Sequence, residues 1–394
     1  MYPNSIESAE AAAKETVDAF PQKIALVCDW FLPRLGGIEL HLRDLARHLM
    51  ASGRTVEVIT SFPGPGEVDG IRVHRLRVSR VPRLGFAWSP NLASVLRARL
   101  VEGGYDLVHA HFSIISPTAF WGAREAVRLQ LPVVVTFHSI LRHFKWTMSG
   151  VDSWLGWSHW PVALSAVSAR VAHDVESIAG RGTVALLPNS TDTQFWKVAR
   201  TKSETKTIRL ISVQRLHAKK RPQALLWLLD RLKKSGGVLS DVRLDLVGDG
   251  PERESLEKLA QRLYLTDYVR FHGRLERAAV RELFSEAHAF VSLTRLEAFG
   301  LACLEARCAG LPVFALGNNG LEDWGGAMPG VVLAKTDDAL FDGLAGWIRD
   351  AKRDAASSLP EVDARLDWQR GIQNHLALYR QARQRVSPSL EAGA

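Results

Sequence analysis

Residues 23–53, KIALVCDWFLPRLGGIELHLRDLARHLMASG, decide the fold. KIALVCDW is a continuous apolar run of the kind a strand buried on both faces produces. A glycine turn follows at Gly36-Gly37, and Ile38, Leu42, Leu45 and Leu49 then recur at helical spacing up to a stop at Gly53. Strand, glycine turn and helix make one βα unit, and the pattern continues outward from it. TVEVIT (55–60), IRVHRL (71–76), DLVHAHF (106–112) and PVVVTFHS (132–139) are further short strand-like runs, the last two flanking a helix expected near 116–129. The same programme restarts with TIRLISVQRL (207–216), VRLDLVGDG (242–250), VRFHG (269–273), AFVSLT (289–294) and PVFAL (312–316). Strands alternating with helices specify parallel sheets with crossover connections, so the sequence implies an α/β chain with two Rossmann-like, doubly wound domains. The polar stretch at about 188–208, opening on Pro188-Asn189, is the expected junction. Open α/β sheets bind ligands beyond the carboxyl ends of their strands, so two facing domains are expected to place the active site in an interdomain cleft.

Composition agrees with an enzyme-sized globular chain: 394 residues, 46% apolar and 23% charged, with neither a coiled-coil nor a low-complexity signature. Fifty basic residues against 42 acidic give a formal charge of +8, which favours anionic partners without choosing among nucleotides, phospholipids and nucleic acid. Cys28, Cys303 and Cys308 form no disulfide framework and no metal spacing, which fits the reducing cytosol. The first 20 residues carry Glu7, Glu10, Glu15 and Asp18 and lack the design of a signal peptide, and no apolar run approaches 18 residues, so membrane contact is expected to be peripheral.

The stretch richest in chemistry is RLEAFGLACLEARCAGLPV (295–313). A strand ending near Thr294 leads through a loop carrying Glu297 into a helix that starts around Phe299-Gly300 and stops at Gly310. The backbone amides of Phe299, Gly300 and Leu301 are then the unpaired donors of a helix start, which with the helix dipole suits a phosphate. Glu297 before the helix and Glu305 within it can each accept hydrogen bonds from a pair of sugar hydroxyls. Arg215 and Lys220, in SVQRLHAKKRPQALL (212–226), follow a strand and precede a helix, where both reach one diphosphate. Gly36-Gly37 allows close backbone approach to a phosphate, and His138 ends a strand of the first sheet.

These motifs together resemble glycosyltransferase family four, retaining enzymes of the GT-B fold: the glycine turn with Glu39, the THS-like strand end, PNSTD at 188–192, R-L-x-x-x-K at 215–220, GDGP at 248–251, FHGR at 271–274 and the Glu297/Glu305 pair occur in the family's order over about residues 23–380. The opening VCDWFLPRLGGIELHLRDL is similar to the subgroup containing the catalytic subunit that adds N-acetylglucosamine to phosphatidylinositol. The resemblance implies an extension at 1–22, an acceptor domain at 23–190, a donor domain at 205–360 and a C-terminal helix at 361–385 crossing back to the first domain. It implies that Gly37, Arg215 and Lys220 hold the donor diphosphate, and that Gly36, Gly248 and, at the helix start, Phe299, Gly300 and Leu301 also bind the donor. Glu305 would take the ribose hydroxyls, Glu297 the sugar hydroxyls, Arg274 and Leu275 the base, and His138 would lie beside the transferred sugar. It further implies a nucleoside diphosphate sugar donor, UDP foremost, carrying a hexose or N-acetylhexosamine, with no cofactor, no metal and no nucleic-acid partner. Two positions depart from the pattern. Arg221 stands where glycine is common, adding charge near the diphosphate or facing solvent. NNGLEDWGG at 318–326 replaces the usual run where donor-sugar contacts at Asn318, Asn319 and Gly320 would fall. No Asp-x-Asp occurs, which argues against a metal-dependent GT-A enzyme.

Plainer roles stand beside these. GDGP also makes a simple strand-to-helix turn. His109 and His111 share one face of a strand, as metal ligands or as packing, with no third ligand apparent. Glu297 and Glu305 also suit a solvated helix start, and an isolated His138 also suits a core. Residues 71–99 hold seven arginines (Arg72, Arg75, Arg77, Arg80, Arg83, Arg97 and Arg99) and no acidic residue, with an apolar tip at Leu84–Trp88. Arg80, Arg83 and Trp88 thereby suggest docking on an anionic membrane surface. Trp146, Trp154, Trp157 and Trp160 read as interfacial aromatics or as a packed helix. The function expected is retaining, metal-independent transfer of a sugar to a lipid-linked acceptor by a cytoplasmic enzyme, peripheral at the inner face of the membrane. The alternatives are a soluble or polysaccharide acceptor, a sugar-nucleotide epimerase, and a non-catalytic nucleotide-sugar binding partner.

Overall fold

The computed structural model describes residues 21–81, 86–141, 145–180, 184–199, 207–351, 362 and 364–386. These described residues fall into two compact units, one drawn from within the spans Met1–Val167, Val171–Pro188 and Trp368–Ala394, the other from within Ser168–Arg170 and Asn189–Asp367.

The first unit is built on an eight-stranded sheet in the order β3-β4-β2-β1-β5-β6-β7-β8. Its strands are β1 (Lys23–Cys28), β2 (Thr55–Thr60), β3 (Glu67–Val68), β4 (Ile71–Arg75), β5 (Leu107–Phe112), β6 (Val133–Phe137), β7 (Ala163–Ala166) and β8 (Ala185–Leu186). All pairings are parallel except β3 with β4. Central β1 pairs Leu26 with Val58 on one side and with His109 on the other, and its apolar run is buried throughout because helices cover both faces. The helix Gly37–Ala51 turns Leu42, Leu45, Ala46 and Leu49 inward at positions i, i+3, i+4 and i+7. It ends at Ser52, and Gly53 has a φ of 86°. The last helix, Trp368–Val386, belongs to this unit, where Trp368, Leu378, Tyr379 and Ala382 join the core with Leu42, Leu45 and Leu49. Burying four such side chains stabilises its docking by several kcal/mol, at roughly 1.5–3 kcal/mol for each large one.

The second unit holds a six-stranded parallel sheet in the order β11-β10-β9-β12-β13-β14. Its strands are β9 (Ile208–Val213), β10 (Val242–Val247), β11 (Val269–Gly273), β12 (Ala289–Ser292), β13 (Val313–Leu316) and β14 (Val331–Ala334). Leu225, Leu226, Leu228, Leu229 and Leu232 of the helix Pro222–Lys234 pack with Leu210, Leu244 and Leu246 in its core. In each sheet the winding reverses once, between β1 and β5 and between β9 and β12. Loops leaving such neighbouring strands diverge and open a crevice at their carboxyl ends.

Among the described residues no helix is long and apolar enough to cross a membrane.

Candidate functional site

In the second unit the reversal point is lined by the loop after β9, Gln214–Lys220, and the loop after β12, Leu293–Gly300. Lys220 closes a short 3₁₀ turn, Ala218–Lys220, in which the His217 ring accepts from Lys219 N–H at 3.2 Å. Its Nζ donates to Glu297 Oε2 at 2.6 Å, and Thr294 Oγ1 donates to its carbonyl at 3.3 Å. A cation and a carboxylate proposed for one substrate therefore meet across two strands and hold each other in place. Arg215 is exposed and has no side-chain partner among the described residues. Its backbone is fixed from the neighbouring loop: Gln214 N–H donates to the Val247 carbonyl and Leu216 N–H to that of Asp249, both at 3.0 Å. This backbone knit explains the glycines of GDGP. A Cβ on Gly248 would lie 1.8 Å from the Gln214 carbonyl oxygen, and one on Gly250 2.3 Å from that of Leu216. The structure thus gives Gly248 a packing role, one that makes the Arg215 loop possible.

The helix after Glu297 runs Leu301–Cys308, shorter at both ends than the sequence suggested, because Gly300 (φ 83°) and Gly310 (φ 80°) take left-handed conformations on either side. No side chain caps its start; Cys303 N–H donates to the Gly300 carbonyl at 2.9 Å, while the amides of Leu301 and Ala302 have no acceptor among the described residues, as suits an anion. Glu305 is buried and accepts from Arg277 Nη2 at 3.0 Å. Arg274 is exposed and Leu275 half-buried directly after β11.

Two readings need correction. Arg221 neither adds an unpaired charge to the Lys220 site nor stands free in solvent. It grips Asp337 with both guanidinium nitrogens, at 3.1 and 2.6 Å, and donates to the Leu293 carbonyl at 3.0 Å. The hydrogen bonds and charge of Arg221 hold the Asp337 carboxyl below its usual range. Its φ of 52° is the left-handed conformation glycine adopts easily, so the ion pair compensates local strain. The 318–326 stretch is a brace. Asn319 is buried, donating to the Leu316 carbonyl at 2.8 Å and accepting from Leu321 N–H at 2.9 Å. Gly320 N–H donates to the Glu297 carbonyl at 2.8 Å, and a Cβ there would sit 1.8 Å from the Ala298 oxygen. Asn318 N–H donates to Glu322, and Trp324 Nε1 to the Phe299 carbonyl at 2.8 Å. The departure in sequence therefore shapes the Glu297 loop from behind.

In the first unit, the glycine turn carries a carboxylate. Glu39 folds back so that its Oε2 lies 2.4 Å from where a Gly36 Cβ would be, and Arg34 Nη1 holds its other oxygen at 2.9 Å, while Gly37 has open space around it. At the β1/β5 reversal, buried Asp29 accepts from Thr118 N–H at 3.0 Å and Ala119 N–H at 3.3 Å, occupying the start of the helix Pro117–Arg128. Burial lifts its pKa to about 6. The charge reading of the sequence missed Asp29, because nothing in CDW marks it as buried.

His138 follows β6 and is buried, with its Nε2 2.9 Å from His111 Nδ1. His109 lies between the Tyr379 hydroxyl at 3.0 Å and Thr136 Oγ1 at 2.7 Å, its ring 3.9 Å from that of His111. His41 stacks on Trp368 at 5.2 Å and lies 5.6 Å from His138, with His375 close by. Burial keeps four of these imidazoles neutral, pushing His138 down to about 3, His375 to about 4, and His109 and His111 well below the usual value. The HAH pair is thus part of a buried histidine cluster, and no group of three metal-ligating side chains suited to a metal occurs among the described residues.

The arginine-rich stretch is less free than its sequence suggests. Arg75 donates to the Leu32, Phe62 and Pro65 carbonyls, Arg99 pairs with Glu102, and Arg72 and Arg97 lie 3.8 and 3.7 Å from Glu57 and Glu125. Arg80 stands 5.8 Å from the Phe62 ring and Trp88 is 74% exposed, whereas Arg83 and Leu84 lie outside the described residues. The Trp run is not one packed helix: Lys145–Leu155 ends at left-handed Gly156, Trp157 is buried against Phe137, and Trp146 is 92% exposed.

Comparison with known proteins bears on both units. The family profile described as Glycosyltransferase Family 4 matches residues 35–195, and that described as Glycosyl transferases group 1 matches 193–357. A phosphatidylinositol N-acetylglucosaminyltransferase subunit of Arabidopsis thaliana is 26% identical over 73% of this chain, which spans just under two thirds of that relative, 66%. A glycogen synthase of Mycobacterium tuberculosis is 27% identical over 87% of this chain and 91% of its own. The solved structure of Anabaena HepE, in complex with UDP and glucose, superposes with a TM-score of 0.67 at 20% identity, covering 93% of this chain and 95% of that one. The two-domain α/β fold with parallel sheets is that of the GT-B glycosyltransferases.

Proposed function

We propose that this chain, which belongs to glycosyltransferase family four, moves a hexose or N-acetylhexosamine from a nucleoside diphosphate sugar, UDP foremost, to an acceptor hydroxyl with retention of configuration. The observation that carries the proposal is the meeting of Lys220 and Glu297 at the β9/β12 reversal, with Arg215, whose side chain has no partner among the described residues, on the same loop as Lys220. In the transfer the acceptor oxygen bonds to the anomeric carbon as its bond to the diphosphate oxygen breaks, and the nucleoside diphosphate leaves with the bonding pair. Arg215, Lys220 and the amides at the start of Leu301–Cys308 meet the charge that grows on the leaving group, which is where preorganised donors lower a barrier most. Side chains supply this stabilisation, so no metal is required. Glu297, steadied by Lys220, accepts hydrogen bonds from sugar hydroxyls.

For the acceptor, the name of the Arabidopsis relative and the exposed Trp88 and Arg80 favour a lipid-linked molecule at an anionic surface, with the protein cytoplasmic and peripheral. The glycogen synthase relative supports the second reading, a polysaccharide acceptor. Incubating the pure protein with a panel of nucleotide sugars, with and without lipid extract or oligosaccharide, tests both. Transfer that continues in chelator is expected. Epimerisation of the donor, binding without turnover, or metal-reversible loss of activity would each overturn the assignment.

A further inference from the structure

The buried hydrogen bonds of the first unit dictate where protons sit. Ser165 Oγ lies 3.2 Å from the Val135 carbonyl, which only accepts, so the single hydroxyl proton of Ser165 points there. Thr136 Oγ1 must then donate to Ser165 Oγ at 2.7 Å, and His109 Nε2 must donate to Thr136 Oγ1 at 2.7 Å. A neutral His109 carries one proton, so its Nδ1 accepts from the Tyr379 hydroxyl at 3.0 Å. Every polar group in this chain of hydrogen bonds has one assignable role.

The His111–His138 pair yields to the same logic. Among the described residues the partner of His111 Nδ1 is His138 Nε2, and His111 Nε2 is sealed from solvent with no partner there. A buried N–H without an acceptor is rarer and less favourable than a buried lone pair without a donor. The His111 proton therefore sits on Nδ1 and is donated to His138 Nε2. His138 must then carry its own proton on Nδ1, the nitrogen that has no partner among the described residues.

We infer that His111 is a positioning residue: it fixes His138 in the Nδ1–H tautomer, so that the end of β6 presents a hydrogen-bond donor, not a base, to a hydroxyl or ring oxygen of the bound sugar. The role of His138 toward a sugar rests on the glycosyl-transfer reading, whereas the tautomer does not. Burial supports the assignment by holding both rings neutral. The fixed tautomer also denies His138 the task of deprotonating an acceptor, since its one basic nitrogen is occupied by His111.

Two-bond ¹H–¹⁵N correlation spectra of the full chain labelled with ¹⁵N-histidine read the tautomer directly, with His138→Gln identifying the resonances. The expected wild-type result is a protonated Nδ1 and a bare Nε2 at His138. His111→Leu removes the donor and is expected to shift His138 toward the Nε2–H form that free imidazole prefers. It should lower kcat with UDP-N-acetylglucosamine or UDP-glucose roughly tenfold with little change in donor KM, the worth of one aligned hydrogen bond. His111→Asn, whose amide nitrogen donates from nearly the position of Nδ1, is expected to restore both tautomer and kcat. An Nε2–H His138 in the wild type overturns the inference, as does an unchanged His138 tautomer in His111→Leu. If His111→Leu does not fold, the wild-type and His111→Asn spectra decide. The spectra need no turnover, so they stand or fall separately from the glycosyl-transfer reading.

Discussion

Acid should destabilise the first unit steeply as pH falls below the pKa of a solvated imidazole. His109, His111, His138 and His375 are buried and neutral, with folded pKa values far below the 6.5 of a solvated imidazole. For a group whose folded pKa is lowered in this way, stability is present above the unfolded pKa and is lost as pH falls below it, because only the unfolded chain takes up the proton. At pH 5 each such histidine costs about 2 kcal/mol, and the four together on the order of 8 kcal/mol. Asp29 works in the opposite direction. Its folded pKa is raised to about 6, so the folded state gains stability as pH falls through that value, returning about 1 kcal/mol at pH 5. The net loss of about 7 kcal/mol compares with a whole-domain stability of roughly 5–15 kcal/mol. Urea unfolding followed by tryptophan fluorescence between pH 7.5 and 5 is the assay. Near pH 5 the free energy should fall by about 4 kcal/mol per pH unit, corresponding to about three protons bound on unfolding. His375→Leu should remove about one of those protons. A midpoint that stays constant between pH 7 and pH 5 would refute the buried neutral cluster.

Three further outcomes are expected. Arg215→Ala and Lys220→Ala should each lower turnover by roughly 10²–10³ while melting temperature changes little; near-normal turnover in either soluble variant removes that residue from the mechanism. Arg221→Ala should destabilise more than Arg221→Gly, by about 1 kcal/mol in urea titrations, because both lose Asp337 but only glycine is at ease at a φ of 52°; equal losses would show that the backbone there is unstrained. Charge reversal at Arg80 and Arg83 should cut binding to anionic vesicles at low salt and leave donor hydrolysis unchanged, with wild-type binding weakening as salt rises. A wild-type protein that ignores such vesicles refutes the membrane surface.

What the sequence revealed depended on how local the cause was. Strands such as KIALVC and VVVTF were legible because burial on both faces leaves a continuous apolar run. Arg215, Lys220 and Glu297 were legible as candidates because strand ends in such sheets are where ligands bind, yet their spacing does not reveal that Lys220 and Glu297 touch. That contact follows from β9 and β12 being neighbours, a matter of strand order. Likewise His111 reaches His138 only because β5 and β6 pair with His111 opposite Thr136. The acid-free window at 71–99 misled for the same reason: Glu57 and Glu125 lie far along the chain from the arginines they meet. Arg221 was misread because its partner Asp337 is 116 residues away.

The loops behind Arg215 are tied to one another by main-chain hydrogen bonds, with Glu252 N–H also donating to the Leu216 carbonyl and Gly248 N–H to that of Gly273. The position of this arginine is therefore written in backbone, and the exposed side chains around it, Lys219 and Asp249 among them, have little share in setting it. Those neighbours can be exchanged while the backbone of Arg215 stays in register. Gly248 and Gly250 have no such freedom. A saturation library over residues 217–219 and 248–252 should consequently show tolerance divided by backbone role, with two intolerant glycines set among more permissive positions.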